Sequence, residues 1–152
     1  MPKFISYVLS FVYIGIYWNN HHHLFQAIQK VNGRILWANL FLLFALSLIP
    51  FTTGWMGENQ FAHHPVILYG LNLLLCALAF VALEKSGLHS DGKSSVIGAA
   101  LSSKTKEIVS VSLYVIGIIF AFWQPYLGLA CFSVVAILWL IPDKRIENQL
   151  KK

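Results

Sequence analysis

The chain has 152 residues, of which 57% are apolar and 11% are charged, and its mean hydropathy is +0.66. Charged residues make up about a quarter of an ordinary soluble domain, so this composition excludes the soluble, disordered and fibrous classes. Eleven Lys and Arg against six Asp and Glu give a net charge of +5, and the basic residues lie in short clusters between apolar runs. This pattern predicts an all-α polytopic helix bundle in a lipid bilayer, with no nucleic-acid partner.

The first apolar run predicts a membrane span over about residues 4–20. The polar cluster Asn19–His23 lies at the C-terminal end of this span. A second charge-free run predicts a span over 35–56, and a third, opened by Pro65, predicts one over 65–83. These lengths are near the roughly 20 residues that a hydrocarbon core of about 30 Å requires. A cleaved signal peptide is the alternative for the first run, but no small-residue cleavage site follows it.

The last charge-free window, Ile108 to Pro142, contains two predicted spans. Its 35 residues would reach about 50 Å as one helix, which is too long for a single crossing. The Gln124–Pro125 pair divides the window, because proline cannot continue a helix through its missing N–H. The window therefore predicts a helical hairpin with spans over 108–123 and 126–141.

Basic residues are distributed unequally between the two ends of the five predicted spans. Residues 84–107, rich in Ser, Gly and Lys, predict a loop, and residues 143–152 predict a solvated tail. Ten of the eleven Lys and Arg residues fall on the side of this loop and tail, and Lys3 falls on the other. By the positive-inside rule the C-terminus is cytoplasmic and Met1 lies outside. An odd span number with an external N-terminus is uncommon, so we expect an N-terminal span to be missing from this sequence.

Three consecutive histidines, His21, His22 and His23, are the most evident candidate metal ligands. Successive helical residues point about 100° apart, so three in a row cannot face one ion together. Asp, Glu and Cys are absent from their neighbourhood in the sequence, so no complete ligand set forms. We predict no metal site here and no cofactor.

Two other polar or aromatic residues near the first and second spans are candidates for a functional site. Trp18 precedes His21 and His22 by three and four residues, which places indole and imidazole on one helix face. An aromatic belt with interfacial histidines is the alternative interpretation. Asn39 lies one turn inside the second predicted span, where an amide without a partner costs several kcal/mol. We therefore expect Asn39 to hydrogen-bond another helix.

Motifs of enzymes and of familiar channels are missing from the sequence. It contains no nucleophile elbow, Walker loop or H-E-x-x-H helix, which predicts a protein without enzymatic activity. None of the five predicted spans contains a carboxylate, which argues against a proton-coupled transporter. A T-V-G-Y-G potassium filter is also absent.

Three segments, Tyr17–Phe25, Arg34–Leu40 and Ser47–Phe51, resemble in order and spacing the second and third spans of the prokaryotic transmembrane protein 175 family. The resemblance covers about residues 1–60. It implies a homotetramer of six-span subunits in a prokaryotic cell membrane, with a potassium-conducting pore on the central axis. In this family the first span lines the pore and carries an Arg-x-x-x-Phe-Ser-Asp motif. The present sequence lacks that motif and begins at what would be the second span.

By the same resemblance, polar residues on the second and third spans hold the pore helix in place. The matching positions are Trp18, His21 or His22, and Asn39, and no residue of the 152 is identified as pore-lining. The resemblance therefore predicts an N-terminally truncated subunit of a potassium-permeable cation channel, whose conduction without the first span is in question. The alternative is a non-conducting membrane scaffold or accessory protein.

Overall fold

The computed structural model describes residues 2–100, 104–141, 148 and 151. Across these residues the regular structure is helical and contains no strand, which confirms the predicted all-α class. Two apolar segments are long enough to cross a membrane, Gly33–Glu58 and His63–Asp91. The helices in chain order are α1 (Pro2–Ala27), α2 (Gly33–Ser47), α3 (Ile49–Glu58), α4 (His63–Asp91), α5 (Val96–Ala100), α6 (Thr105–Ala121) and α7 (Pro125–Leu140).

The first helix, α1, extends beyond the predicted span and contains the three histidines in its last two turns. Neither glycine nor proline occurs between Gly15 and Gly33, so nothing in the sequence breaks the helix at residue 20. The polar residues of this segment bond to the helix itself: His23 Nδ1 lies 2.8 Å from Asn19 O, and Asn20 Nδ2 donates to Ile16 O at 2.9 Å. The polar cluster is therefore part of the helix and not its end.

The second predicted span forms two helices, α2 and α3, separated at Leu48. Pro50 lacks the N–H that would continue the hydrogen-bond ladder, so the regular helix is interrupted here. Asn72 of α4 is buried against this break. The amide nitrogen of Asn72 donates to Ala45 O at 3.1 Å, and its amide oxygen accepts from Ile49 N at 3.1 Å. A side chain of a neighbouring helix thus satisfies backbone groups around this break.

The fourth helix corrects the prediction of a loop over residues 84–107. It continues to Asp91 and ends where Gly92 adopts a φ of 87°. The Asp91 carboxylate accepts from the backbone N–H groups of Gln29 and Lys30, at 2.6 and 2.9 Å. The last two turns of α4 are therefore stabilised by the α1–α2 connection, a contact that local composition does not reveal. Residues 101–103 of the predicted loop lie outside the described residues.

Helices α6 and α7 form a close hairpin beside α4, and residues 122–124 connect them at the predicted Gln124–Pro125 division. A Cβ on Gly128 would stand 2.7 Å from the carbonyl oxygen of Gly117 and 2.9 Å from Ala121 Cβ. Glycine therefore permits the two backbones to approach closely. Phe132 of α7 fills the centre of the bundle against Tyr69 and Tyr114. Of the predicted tail, 143–152, only residues 148 and 151 are described.

Candidate functional site: the polar end of α1 and α2

The exposed half of the site consists of Trp18 and His22 on α1. Their rings lie one helical turn apart and stack, with centroids 5.4 Å apart and planes inclined by 11°. The same imidazole lies 3.1 Å from the Gln26 amide nitrogen. Trp18 is 63% exposed, so the stacked pair presents an aromatic surface away from the bundle. An indole and an imidazole offer a flat face and hydrogen-bonding nitrogens to whatever packs there.

The inner half of the site consists of His21 on α1 and Asn39 on α2. His21 Nε2 lies 2.6 Å from Asn39 Oδ1, so Nε2 carries the proton and donates it to the amide oxygen. The imidazole also packs against the Phe25 ring at a centroid distance of 4.7 Å. Both members of the pair are half-buried. Because α1 packs along α3 and not along α2, this hydrogen bond links two helices whose backbones diverge.

The four predicted site residues thus form two neighbouring pairs, and the three histidines point in three directions. His22 faces Trp18, His21 faces α2, and His23 turns back to the backbone of its own helix. Among the described residues, no group of three His, Cys, Asp or Glu side chains is arranged to hold a metal ion. At the other end of the bundle, His63 Nδ1 lies 2.9 Å from Ala121 O. The chemistry of the site is therefore hydrogen bonding and aromatic packing.

Two buried carboxylates, Glu84 and Glu107, were missed in the sequence analysis. Their residues are 6% and 8% exposed, although the composition of residues 84–107 predicts a polar loop. The signal for Glu107 lies in the spacing of the buried positions of α6, which are Glu107, Ser110, Tyr114, Gly117 and Ala121. This stripe has the period of a helix face. Polar and small residues on that face are typical of the inner side of a membrane helix, and this pattern predicts burial of the glutamate.

The outer surface of the bundle is strongly apolar, as the exposed large side chains show. Trp37 and Trp123 are each 74% exposed, and Phe11 is 70% exposed. Other exposed apolar residues follow one another along α1, α2, α6 and α7. A soluble protein rarely presents such continuous apolar area to water. The surface matches a lipid environment or contact with further helices.

The first 50 residues match a family model described as the endosomal/lysosomal potassium channel TMEM175. A Chryseobacterium sp. protein named as a potassium channel is 51% identical over 152 residues, covering 100% of this chain and 79% of the relative. A Streptomyces collinus protein with the same description is 34% identical over 86 residues, which are 54% of this chain and 42% of that protein. A third, from Chamaesiphon minutus, is 26% identical over 95 residues, which are 59% of this chain and 46% of that protein.

No solved structure matches the sequence. The match at 51% identity extends over the whole chain and includes all seven helices and both pairs of the site. It agrees with the family model on the first 50 residues and with the resemblance of the Tyr17–Phe25, Arg34–Leu40 and Ser47–Phe51 segments. This chain is therefore a membrane protein that belongs to the TMEM175 family.

Proposed function

We propose that the chain is a subunit of a potassium-permeable cation channel. The observation that carries this proposal is the 51% identity, along all 152 residues, with a Chryseobacterium protein named as a potassium channel. The all-helical bundle with an apolar exterior supports it, because helices satisfy their own backbone hydrogen bonds in lipid.

Five membrane crossings are proposed, by α1, by α2 with α3, and by α4, α6 and α7. The Lys3 ammonium pairs with Glu58 at 3.2 Å at one end of the bundle, and at the other end the backbone N–H of Lys30 donates to Asp91 Oδ1 at 2.9 Å. Ten of the eleven Lys and Arg residues belong to the Asp91 end in this arrangement. This asymmetry supports a cytoplasmic location for the Asp91 end and for the C-terminus, and an external location for the N-terminus.

The proposed role of Trp18, His21, His22 and Asn39 is to hold a pore-lining helix, in a homotetramer whose pore lies on the central axis. The exposed Trp18–His22 stack supports this role, since it leaves an aromatic, hydrogen-bonding surface beside the half-buried His21–Asn39 pair. Such a surface suits side chains of another helix better than passing ions. The 152 residues alone should then conduct little potassium.

Potassium flux in reconstituted liposomes tests this proposal. The 152-residue chain should give little flux, and a version preceded by a helix carrying Arg-x-x-x-Phe-Ser-Asp should give cation flux that favours potassium. In the extended version, Trp18→Ala or His22→Ala should lower the flux without changing which ion is preferred. Trp123→Ala is the matched control, because Trp123 is an exposed tryptophan at the α6–α7 turn.

Two results would contradict the proposal. Robust potassium-selective flux from the 152 residues alone would show that the pore lining is already present. An extended protein that assembles but carries no flux would favour a membrane scaffold or accessory protein.

A further inference from the structure

An open cleft lies between α4 and α6, at the end of the bundle that contains Asp91. Its volume is about 310 Å³. Apolar side chains form most of its wall, namely Val81, Leu88, Ile108 and Val111. The cleft is distinct from the Trp18 surface, because its described lining comes from α4 and α6 and the residue that precedes α6, whereas Trp18 belongs to α1.

Two lysines line this cleft, Lys85 on α4 and Lys104 at the start of α6, and both are exposed. Neither forms an ion pair with a residue that the structure describes. The nearby Lys106 is engaged elsewhere, because its Nζ donates to Ile141 O at 3.1 Å. The ammonium groups of Lys85 and Lys104 are therefore available to an anion in the cleft.

Two carboxylates, Glu84 and Glu107, also belong to the lining, but both are buried. The Oε2 atom of Glu107 is sealed from solvent. A ligand that approaches from the membrane surface thus meets the exposed lysines before it meets a carboxylate. The accessible charge of the cleft is positive, and it stands beside an apolar wall.

The charged and apolar residues of the cleft are ordered along the two helices. Val81 lies one turn before Lys85, on the side of the middle of α4. Ile108 and Val111 follow Lys104 by about one and two turns, also towards the middle of their helix. A phospholipid has the same order, with a charged headgroup at the surface and acyl chains in the hydrocarbon core. Basic pockets between membrane helices bind acidic lipid headgroups in this way.

We propose that the cleft binds one anionic phospholipid, whose phosphate lies between Lys85 and Lys104. An acyl chain then lies along Val81, Ile108 and Val111. Charge complementarity favours the anionic headgroup over a zwitterionic one, and the apolar wall favours a lipid over a free phosphate ester. The site is complete within one subunit and does not depend on conduction. Its test uses binding alone, so its failure is distinguishable from failure of the proposed channel function.

Phosphatidylglycerol binding to the detergent-solubilised 152-residue chain, measured by native mass spectrometry, tests the site. The Kd of the first bound phosphatidylglycerol should be at least about ten times lower than that of phosphatidylcholine with the same acyl chains. Lys85→Gln and Lys104→Gln should each weaken phosphatidylglycerol binding about fivefold and leave phosphatidylcholine binding unchanged. Lys93→Gln is the matched control, because Lys93 is an exposed lysine near the same end of α4 that does not line the cleft.

Three results would overturn the proposal. Equal weakening by Lys93→Gln would show that diffuse positive charge, and not the cleft, attracts the lipid. Equal affinity for phosphatidylcholine would show that the lysines do not select the headgroup. Displacement of the lipid by glycerol 3-phosphate at the same concentration would show that the apolar wall holds no acyl chain. The Tm of each variant without added lipid should equal that of the wild-type chain, since the replaced lysines are exposed.

Discussion

The hydrogen bond between His21 and Asn39 should contribute measurably to the stability of the bundle. Asn39→Leu preserves most of the side-chain volume and removes the oxygen that His21 Nε2 contacts at 2.6 Å. A hydrogen bond between membrane helices contributes roughly 0.6 to 2 kcal/mol. Because both residues are half-buried, water compensates His21 in part, and we expect a loss of about 1 kcal/mol.

Thermal unfolding in detergent measures this loss. A loss of about 1 kcal/mol corresponds to a decrease in Tm of about 2–4 °C for a chain of this size. Asn59→Leu is the matched control, because Asn59 is exposed and its amide donates to Trp55 O of its own helix at 2.8 Å. Its free energy of unfolding should change by less than about 0.5 kcal/mol.

A double-mutant cycle distinguishes the loss of the His21–Asn39 hydrogen bond from a general effect of adding an apolar residue. Once Asn39→Leu is present, His21→Phe should cost less than it does in the wild-type chain, because the shared hydrogen bond is already lost. Equal Tm values for the Asn39 and Asn59 variants would refute the reasoning. Strictly additive effects of the two site substitutions would also refute it.

Two further predictions concern helix packing and orientation. Gly128→Ala should destabilise the α6–α7 hairpin by about 1–3 kcal/mol, since the new Cβ meets Gly117 O at 2.7 Å. In the same thermal assay Gly54→Ala, with no atom within 4 Å of the added Cβ, should be neutral or stabilising, and equal destabilisation of both would contradict the packing argument. In chains whose two free cysteines have been replaced, a cysteine at Ser94 should react with a membrane-impermeant reagent from the cytoplasmic side and one at Gln60 from outside. External labelling at Ser94 would overturn the proposed span count.

Properties set by neighbours along the chain could be predicted from the sequence. Long apolar runs become helices because lipid leaves the backbone no other way to satisfy its hydrogen bonds, so the all-α class followed from composition. The break before Pro125 followed from the missing proline N–H. The contact between Trp18 and His22 followed from helical spacing, since residues four apart lie on one face.

Contacts between distant segments were decided by the tertiary structure. The Ser- and Lys-rich stretch after residue 83 resembles a loop in composition, yet α4 continues into it as far as Asp91, whose carboxylate binds the α1–α2 connection. Likewise, the sequence indicated that Asn39 needs a partner but did not identify His21, since that choice depends on how α1 and α2 diverge. Helical periodicity specifies which residues share a face, whereas the packing of complete helices specifies which faces meet.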